Sequence, residues 1–578
     1  MSKNNDELFK DVISHAKEYG FVFQSSEIYD GLSAVYDYGQ YGSELKNNIK
    51  TYWWKAMVQL NENIVGIDSA IFMHPKIWEA SGHVAGFNDP MIDNKDSKKR
   101  YRADQLIEDK IEKLLSKSFE KAEKYYKELH GTDINDDKFM LTDSNGLEKE
   151  FYPYRVFKAE FGFSFDKASS QINTPSWDWS ETFKKEDVID DLNIMKFNII
   201  LLNNVPEYVK AWNVFYKFQS ALEENDLAKL KEIIEEEQIA DPVSGTRNWT
   251  EVRQFNLMFS TQFGAMAEGS DQVYLRPETA QGIFVNFLNV QKSGRMKIPF
   301  GIAQIGKAFR NEVIARQFIL RMREFEQMEM QFFIKPGTEM EWFEHWKAAR
   351  LKWHLALGTS PEKYRFHDHT KLAHYANAAT DIEFEFPFGF KEVEGIHSRT
   401  DFDLSQHEKF SGKKLRFFDP QETDKDKQSY VPYVIETSIG LDRMFLLTLI
   451  NAYEEQDLSE GDKKDRRIVL KFPPALAPIK AAILPLTKKD GLPEKAREIM
   501  DKLKLDFNMQ YDEKDSIGKR YRRQDAIGTP FCITIDHQTL EDDSVTIRHR
   551  DTMIQERVKA EDLEKIIGDL VSWKKVLA

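Results

Sequence analysis

The sequence predicts an α+β protein of several domains, and three changes of texture along the chain predict it. From Glu251 to about Asn451 the chain is apolar, with strand-like alternation in several places. Residues 91–250 instead carry charged runs at helical spacing, IEDKIEKLLSKSFEKAEKYYKEL and LEENDLAKLKEIIEEEQIA, and read as an insertion. After residue 476, KAAILPL, NMQYDEK, PFCITID and SVTIRHR read as short strands, with LPEKAREIMDKLKL and EDLEKIIGDLVSWKKV as helices, which argues for a compact α/β domain. At 578 residues the chain exceeds what one core supports, so two to four domains are expected.

The N-terminal part, residues 1–90, mixes short apolar runs and Gly turns (YDGLSAVYDYGQYG) with one helix-like run, ELKNNIKTYWWKAMVQL. AYEEQDLSEGDKKDRR reads as a polar linker, placed at 456–475 between the 251–455 region and the final domain, 476–578. With 41 Phe and 21 Tyr the chain can bury large cores. Cys532 is the only cysteine, which excludes a disulfide framework and a multi-cysteine zinc site and suits a reducing cytoplasm. MSKNNDELFKDVISH has no apolar signal region, and no run approaches the eighteen apolar residues of a membrane span, so no membrane partner is expected. A net charge of −15 excludes bulk electrostatic attraction to nucleic acid but not a local basic patch.

Gly301 to Ala308, GIAQIGKA, is one residue short of a phosphate-binding P-loop. Ala308 stands where Ser or Thr would hold Mg²⁺, and FRNEVIA follows with strand rather than helix character, so a strand with a Gly bend is the better reading. The next stretch, AFRNEVIARQFILRMREFEQMEMQFF, sets four arginines and four glutamates among apolar residues. Two strands, through FRNE and RMREFEQMEMQ, would put Arg310 and Glu312 on one face of the first. The second would show Arg321, Arg323, Phe325, Gln327 and Glu329 on one face and Met322, Met328, Met330 and Phe332 on the other, with Glu324 and Glu326 breaking the pattern. Arginines suit phosphate or carboxylate, glutamates an ammonium, an exocyclic amine or a metal, and a phenylalanine a flat base. A network of paired surface charges is the bland alternative.

AFRNE followed by REF resembles motif 2 of the class II aminoacyl-tRNA synthetases, and ETSIGLDRMF, Glu436 to Phe445, resembles motif 3. YLRPETAQGIF, MREFEQMEMQFF, FVFQSSEIYDGL, SGHVAGFNDP, EGIHSRTDFDL and IGKRYRRQDAIGTPF are similar to the homodimeric glycyl-tRNA synthetases in particular, over nearly the whole chain. The resemblance implies an antiparallel catalytic sheet flanked by helices, with motif 1 in residues 1–90, and a C-terminal anticodon-binding domain. It implies ATP and Mg²⁺ as cofactors, glycine and tRNA(Gly) as substrates, a cytoplasmic homodimer, and glycyl-adenylate as intermediate.

Carried over residue by residue, it makes Arg310, Arg443 and Glu436 catalytic. Arg310 would meet the α-phosphate and the glycine carboxylate, Phe325 would stack on adenine, Glu312 would meet its edge, and Arg443 would clamp the γ-phosphate. Asn311, Leu320, Arg321, Met322, Arg323, Glu324, Glu392, Val393, Gly440, Leu441 and Asp442 complete the implied ATP site. Arg102, Glu278, Phe325, Glu326, Gln327, Met328, Glu329, Glu436, Thr437, Ser438, Ile439 and Gly440 form the implied glycine site, with Glu392 and Glu436 as candidate Mg²⁺ ligands. Glycine offers only an ammonium and a carboxylate to grip, so carboxylates such as Glu278, Glu329 and Glu436 must carry recognition and a tight wall must exclude larger side chains. Lys519, Arg520, Arg522 and Arg523, and a second cluster of Arg548, His549 and Arg550, would contact tRNA phosphates.

Three departures from the family pattern stand out. Where many relatives carry two Cys-x-x-Cys zinc knuckles, this chain has Asn94 and Ser97, then Asp241 and Ser244, so no structural zinc is expected. The motif 1 loop reads Tyr38-Gly39-Gln40 instead of Tyr-Gly-Pro, although the dimer is expected to be kept. FHDHTKLAHY brings His367, His369 and His374 close together but lacks the spacing of a known metal motif. Two other function classes compete with the ligase: a non-catalytic, synthetase-like RNA-binding paralogue, and a P-loop ATPase. Joint retention of Arg310, Phe325 and Arg443 argues against the first, and Ala308 against the second.

Overall fold

The computed structural model describes residues 5–130, 139–142, 148–151, 205–263, 271–312, 317–369, 372, 376–459 and 465–577. His374 and much of the insertion, including 152–204, lie outside the described residues. The chain forms two compact units, Gly86–Leu257 and the remainder, Met1–Ala85 with Met258–Ala578.

The larger unit is built on a seven-stranded sheet. Its spatial order is Tyr364–Asp368, Ala378–Phe386, Gly389–Thr400, Tyr433–Gly440, Glu324–Ile334, Phe300–Phe309 and Ile64–Gly66. All neighbours are antiparallel except the last pair. The two faces differ because alternation along each strand is strict. Met328 pairs with Ile439, Met330 with Thr437 and Phe332 with Ile435. This face joins the main core with Leu45, Ile49 and Trp53 of helix Gln40–Trp54 and Met444, Phe445 and Leu449 of helix Leu441–Ala452. On the other face Glu329 opposes Ser438 and Gln331 opposes Glu436, so a polar floor runs across three strands. At its far end the same face turns apolar: Phe300, Ile302, Phe333 and Val434 pack under Phe284 and Phe287 of helix Ala280–Gly294. The helix thus roofs one half of the face and leaves the other half for chemistry.

Gly301 to Ala308 is strand, as expected against a P-loop. Its glycine has a specific cause: a Cβ on Gly306 would lie 2.2 Å from Nη2 of Arg276, whose guanidinium crosses there to donate to Lys307 O and Ser69 O. The strand expected through FRNE does not form. The first strand ends at Phe309, Arg310–Glu312 is loop, and the next strand starts only at Glu324 after a turn at Phe318–Leu320. Parity therefore does not place Arg310, Glu312, Arg321 or Arg323. Loop contacts do, as when Arg310 N donates to Arg323 O and Arg323 Nε donates to Glu312 O.

The C-terminal region folds as a five-stranded sheet in the order Met509–Tyr511, Ala481–Pro485, Phe531–Ile535, Ser544–His549, Gln555–Lys559. The first three strands are parallel and the last two antiparallel. Helices Leu492–Leu503 and Leu563–Leu570 bury Ile499, Leu503, Leu563 and Ile567 against it. The segment expected as linker is partly ordered: Tyr453–Asp457 pairs antiparallel with Arg466–Leu470. In the smaller unit, helices Ala103–His130, Pro206–Glu223 and Leu227–Glu236 stand beside a three-stranded sheet, Arg100–Arg102, Asn88–Asp93, Arg253–Asn256. The run read as one helix from Leu222 breaks at Asp226, whose side chain caps the second helix through Ala228 N and Lys229 N.

Candidate active site

A cavity of 240 Å³ opens on the unroofed half of the polar face. Arg310, Glu312, Leu320, Arg321, Met322, Phe325, Glu326, Gln327, Glu392, Ser438, Gly440, Asp442 and Arg443 line it, together with Ile319, which sequence reasoning missed. The Arg310 guanidinium sits over the Phe325 ring at 5.3 Å and donates to Pro277 O. Arg443 starts helix Leu441–Ala452 and reaches back to Glu392, with Nη1 2.9 Å from the Glu392 carbonyl and 3.0 Å from its Oε2. That guanidinium is the main reason the Glu392 carboxyl stays below its ordinary value.

Asp442 and Glu326 are held from behind. Lys46 of helix Gln40–Trp54 lies 2.7 Å from Asp442 Oδ1 and 2.7 Å from Glu326 Oε2, and Lys50 is 2.6 Å from Glu326 Oε1. The Tyr38 hydroxyl also donates to Asp442, and Glu326 N donates to Asp442 Oδ2 at 2.8 Å. Asp442 therefore locks the strand of motif 2 to the helix of motif 3 with most of its acceptor capacity.

Beside the cavity lies a second cluster, built from carboxylates. Glu329 is 1% exposed and Glu436 5% exposed. Gln331 bridges them, its Nε2 2.7 Å from Glu329 Oε1 and 2.6 Å from Glu436 Oε2. The Thr279 hydroxyl donates to Glu329. Arg399 donates to Glu436 Oε2 at 3.0 Å and grips Asp403 with two nitrogens. Glu278 accepts from Gln281 and lies 3.4 Å from His83. Burial pushes the Glu329 carboxyl well above its ordinary value, and the charges of Glu436 and Glu278 add to it. Burial opposes ionisation of Glu436 too, but Arg399 and His397 outweigh it and hold it down to about 2. Burial likewise opposes ionisation of Glu278, which His83, Arg399 and Gln281 keep below the ordinary range. The three carboxyl groups thus differ in protonation preference, Glu329 toward the proton and Glu436 and Glu278 away from it.

Several expected residues point elsewhere. Met328, Ile439, Leu441 and Val393 are in the main core, and Thr437 is buried on the same face, so only their backbones border the site. Glu324 pairs with Lys307, and Arg323 donates to the carbonyls of Glu312 and Ser33. Asn311 lies in the loop between Arg310 and Glu312. Arg102 belongs to the smaller unit, where Asp104 takes it with two hydrogen bonds and Asp89 is 3.4 Å away. Glu436 does not fit a metal: both its oxygens already accept from His397, Gln331 and Arg399. Glu392 fits better, since its side chain is half exposed and only one oxygen meets Arg443. Arg399, His397 and Gln331 were missed because their partners lie across neighbouring strands, and Thr279 because it meets Glu329 from the start of helix Ala280–Gly294, neither of which the sequence displays.

The basic clusters expected to meet RNA are largely spent inside the protein. Arg520 is buried and donates to the carbonyls of Pro485, Leu486 and Asp512. Arg522 pairs with Asp465, and Arg523 with Asp512 and Asp515. Arg548 makes two bonds to buried Asp525, which Arg467 also meets at 2.8 Å. Arg550 donates to the carbonyls of Gly528 and Phe472. Only Lys519 of the first cluster is plainly exposed. In the smaller unit, Asn94 Oδ1 accepts from Asp96 N, Ser97 N and Thr246 Oγ1, while Asp241 accepts from Tyr101, Val243 N and Ser244, so hydrogen bonds close the two knuckles. Among the described residues no group of three or more His, Cys, Asp or Glu side chains could hold a metal ion, and no helix is long and apolar enough to cross a membrane.

The sheet and the arginine-flanked cavity are those of a class II aminoacyl-tRNA synthetase, and residues 259–452 match the tRNA synthetase class II core domain (G, H, P, S and T). Residues 89–160 and 176–257 match glycyl-tRNA synthetase insertion domain 1, and 480–570 match an anticodon binding domain. The chain is 48% identical to the glycine–tRNA ligase of Chlorobaculum tepidum, covering 95% of this chain and 96% of that one. It is 45% identical to the enzymes of Macrococcus caseolyticus, covering 97% and 98%, and Staphylococcus aureus, covering 96% and 98%. The chain belongs to the glycine–tRNA ligase family.

Proposed function

We propose that the carboxylate cluster holds the ammonium of glycine and the neighbouring cavity holds ATP, so that the chain forms glycyl-adenylate and charges tRNA(Gly). The observation that carries this is the convergence of Glu278, Glu329 and Glu436 beside a cavity flanked by Arg310 and Arg443. The glycine carboxylate attacks the α-phosphate in line, and Arg310 stabilises the charge that develops there. Phe325 offers a face to adenine and Arg443 reaches the outer phosphates. Glu392 would hold a Mg²⁺ ion at this site, which would supply charge neutralisation for the pyrophosphate. Positioning supplies most of the acceleration. In this reading a tight wall around the ammonium site rejects an added methyl group by clash, so no editing step is needed.

The same reading places the enzyme in the cytoplasm as a homodimer. Ile28 and Tyr29, 87% and 80% exposed in the FQSSEIYDGL loop, support a copy-to-copy contact. Sedimentation showing only monomer at micromolar concentration would overturn it. It also holds that the knuckles carry no zinc, and one stoichiometric zinc per chain by elemental analysis would contradict this. The function is tested by charging tRNA(Gly) transcripts with labelled glycine. ATP-dependent, acid-precipitable label is expected; tRNA binding without charging would favour the RNA-binding paralogue instead.

A further inference from the structure

The geometry points to His397 as the general base of the second step, taking the proton from the tRNA 3′-terminal ribose hydroxyl as that oxygen attacks the glycyl carbonyl. The inference rests on the proposed ligase reading and goes beyond it to a residue of the transfer step.

His397 lies on the strand Gly389–Thr400, opposite Glu436 across the strand pair, on the polar face. Its Nδ1 is 2.8 Å from Glu436 Oε1. Glu436 is ionised, held so by Arg399 and His397, and can only accept. The hydrogen of a neutral His397 ring therefore sits on Nδ1, and Nε2 carries the lone pair. A carboxylate that fixes the tautomer and orientation of an imidazole is the arrangement a general base requires. A Cβ built on Gly395 would fall 2.9 Å from Cε1 and 3.3 Å from Nε2 of the His397 ring, and 3.6 Å from Asp381 Oδ1, so the missing side chain leaves room at that edge of the imidazole. Gly395 pairs with Ser438, which lines the nucleotide cavity. The base thus stands next to the point where the carboxylate cluster and the cavity meet, which is where the mixed anhydride must lie.

The step balances without a further reactant. The ribose O–H proton moves to Nε2, the oxygen bonds to the glycyl carbonyl carbon, and the bond from that carbon to the phosphate oxygen breaks. AMP leaves with the electron pair. The imidazolium, paired with Glu436, then returns its proton to water. Asp381, 2.8 Å from His369, and Glu392 also act on this region, and the His369 ring lies 5.9 Å from that of His397. The nearest alternative base is thus His369.

The test separates the two half-reactions in the full-length enzyme. His397→Asn keeps an amide donor for Glu436 but removes the base. Single-turnover transfer from preformed glycyl-adenylate to tRNA(Gly) is expected to fall by about 100-fold or more, the usual scale for loss of a general base. Glycine-dependent pyrophosphate exchange is expected to fall far less, by under about tenfold, because activation moves no proton. Equal losses in both steps, or transfer within about threefold of wild type, would overturn the assignment. A larger transfer loss in His369→Gln than in His397→Asn would also overturn it, in favour of the other imidazole. Absence of glycine-dependent exchange in the wild type would instead defeat the ligase reading, so the two failures are distinguishable.

Discussion

The arginines of the catalytic cavity and those of the C-terminal domain look alike in sequence and differ in what they hold. Arg310 and Arg443 bracket Phe325 and Glu392 at the mouth of a cavity. Arg467, Arg520, Arg548 and Arg550 are buried, and their guanidinium groups are met by Asp525 and by backbone carbonyls. A guanidinium offers five donors in a rigid fork, so it serves as well to tie strand ends and loops together as to bind a phosphate. Burial and partner identity, rather than clustering along the chain, separate the two uses.

Substitutions sharpen that comparison. Arg310→Ala removes charge stabilisation at the reacting phosphate, so glycine-dependent pyrophosphate exchange should fall by about 10³-fold with the thermal melting curve unchanged. Exchange within a few-fold of wild type would refute its role. Asp525→Ala does the reverse: it strands the guanidinium groups of Arg467 and Arg548 in the interior, at a cost of about 3–5 kcal/mol. Denaturant unfolding followed by tryptophan fluorescence should show the loss, while exchange below the transition survives.

The carboxylate cluster predicts a pH effect of intermediate size. Glu329 holds its proton above the usual carboxylate range because of burial and its two acidic neighbours. The glycine ammonium favours the ionised form, so binding releases a proton, and glycine affinity rises with pH through the Glu329 titration by up to about tenfold per unit. Calorimetry in buffers of different ionisation enthalpy measures that release; proton uptake would contradict the assignment. Arg523→Ala should do least. Its pairs with Asp512 and Asp515 are partly exposed, so stability should change by under about 1 kcal/mol. Charging of tRNA is expected to weaken while exchange does not, and unaltered charging would assign Arg523 to the fold alone.

Much of the site could be read from alternation. Phe325, Gln327 and Glu329 do share a face, with Met328, Met330 and Phe332 behind them, because Glu324–Ile334 is a regular strand. Alternation fails where the backbone leaves the strand: Arg310, Glu312, Arg321 and Arg323 are placed by loop contacts that have no period. It also missed Arg399, His397 and Gln331, whose importance comes from cross-strand partners distant in sequence. For the basic run KRYRR the sequence shows the charge but not the aspartates that pair with it, Asp465, Asp512 and Asp515, which lie in separate segments.

Amino-acid-dependent ATP–pyrophosphate exchange across a panel of amino acids tests the central claim most directly. The proposed glycine site predicts exchange with glycine and none above background with alanine or serine. Exchange with alanine or serine but not with glycine would contradict the account.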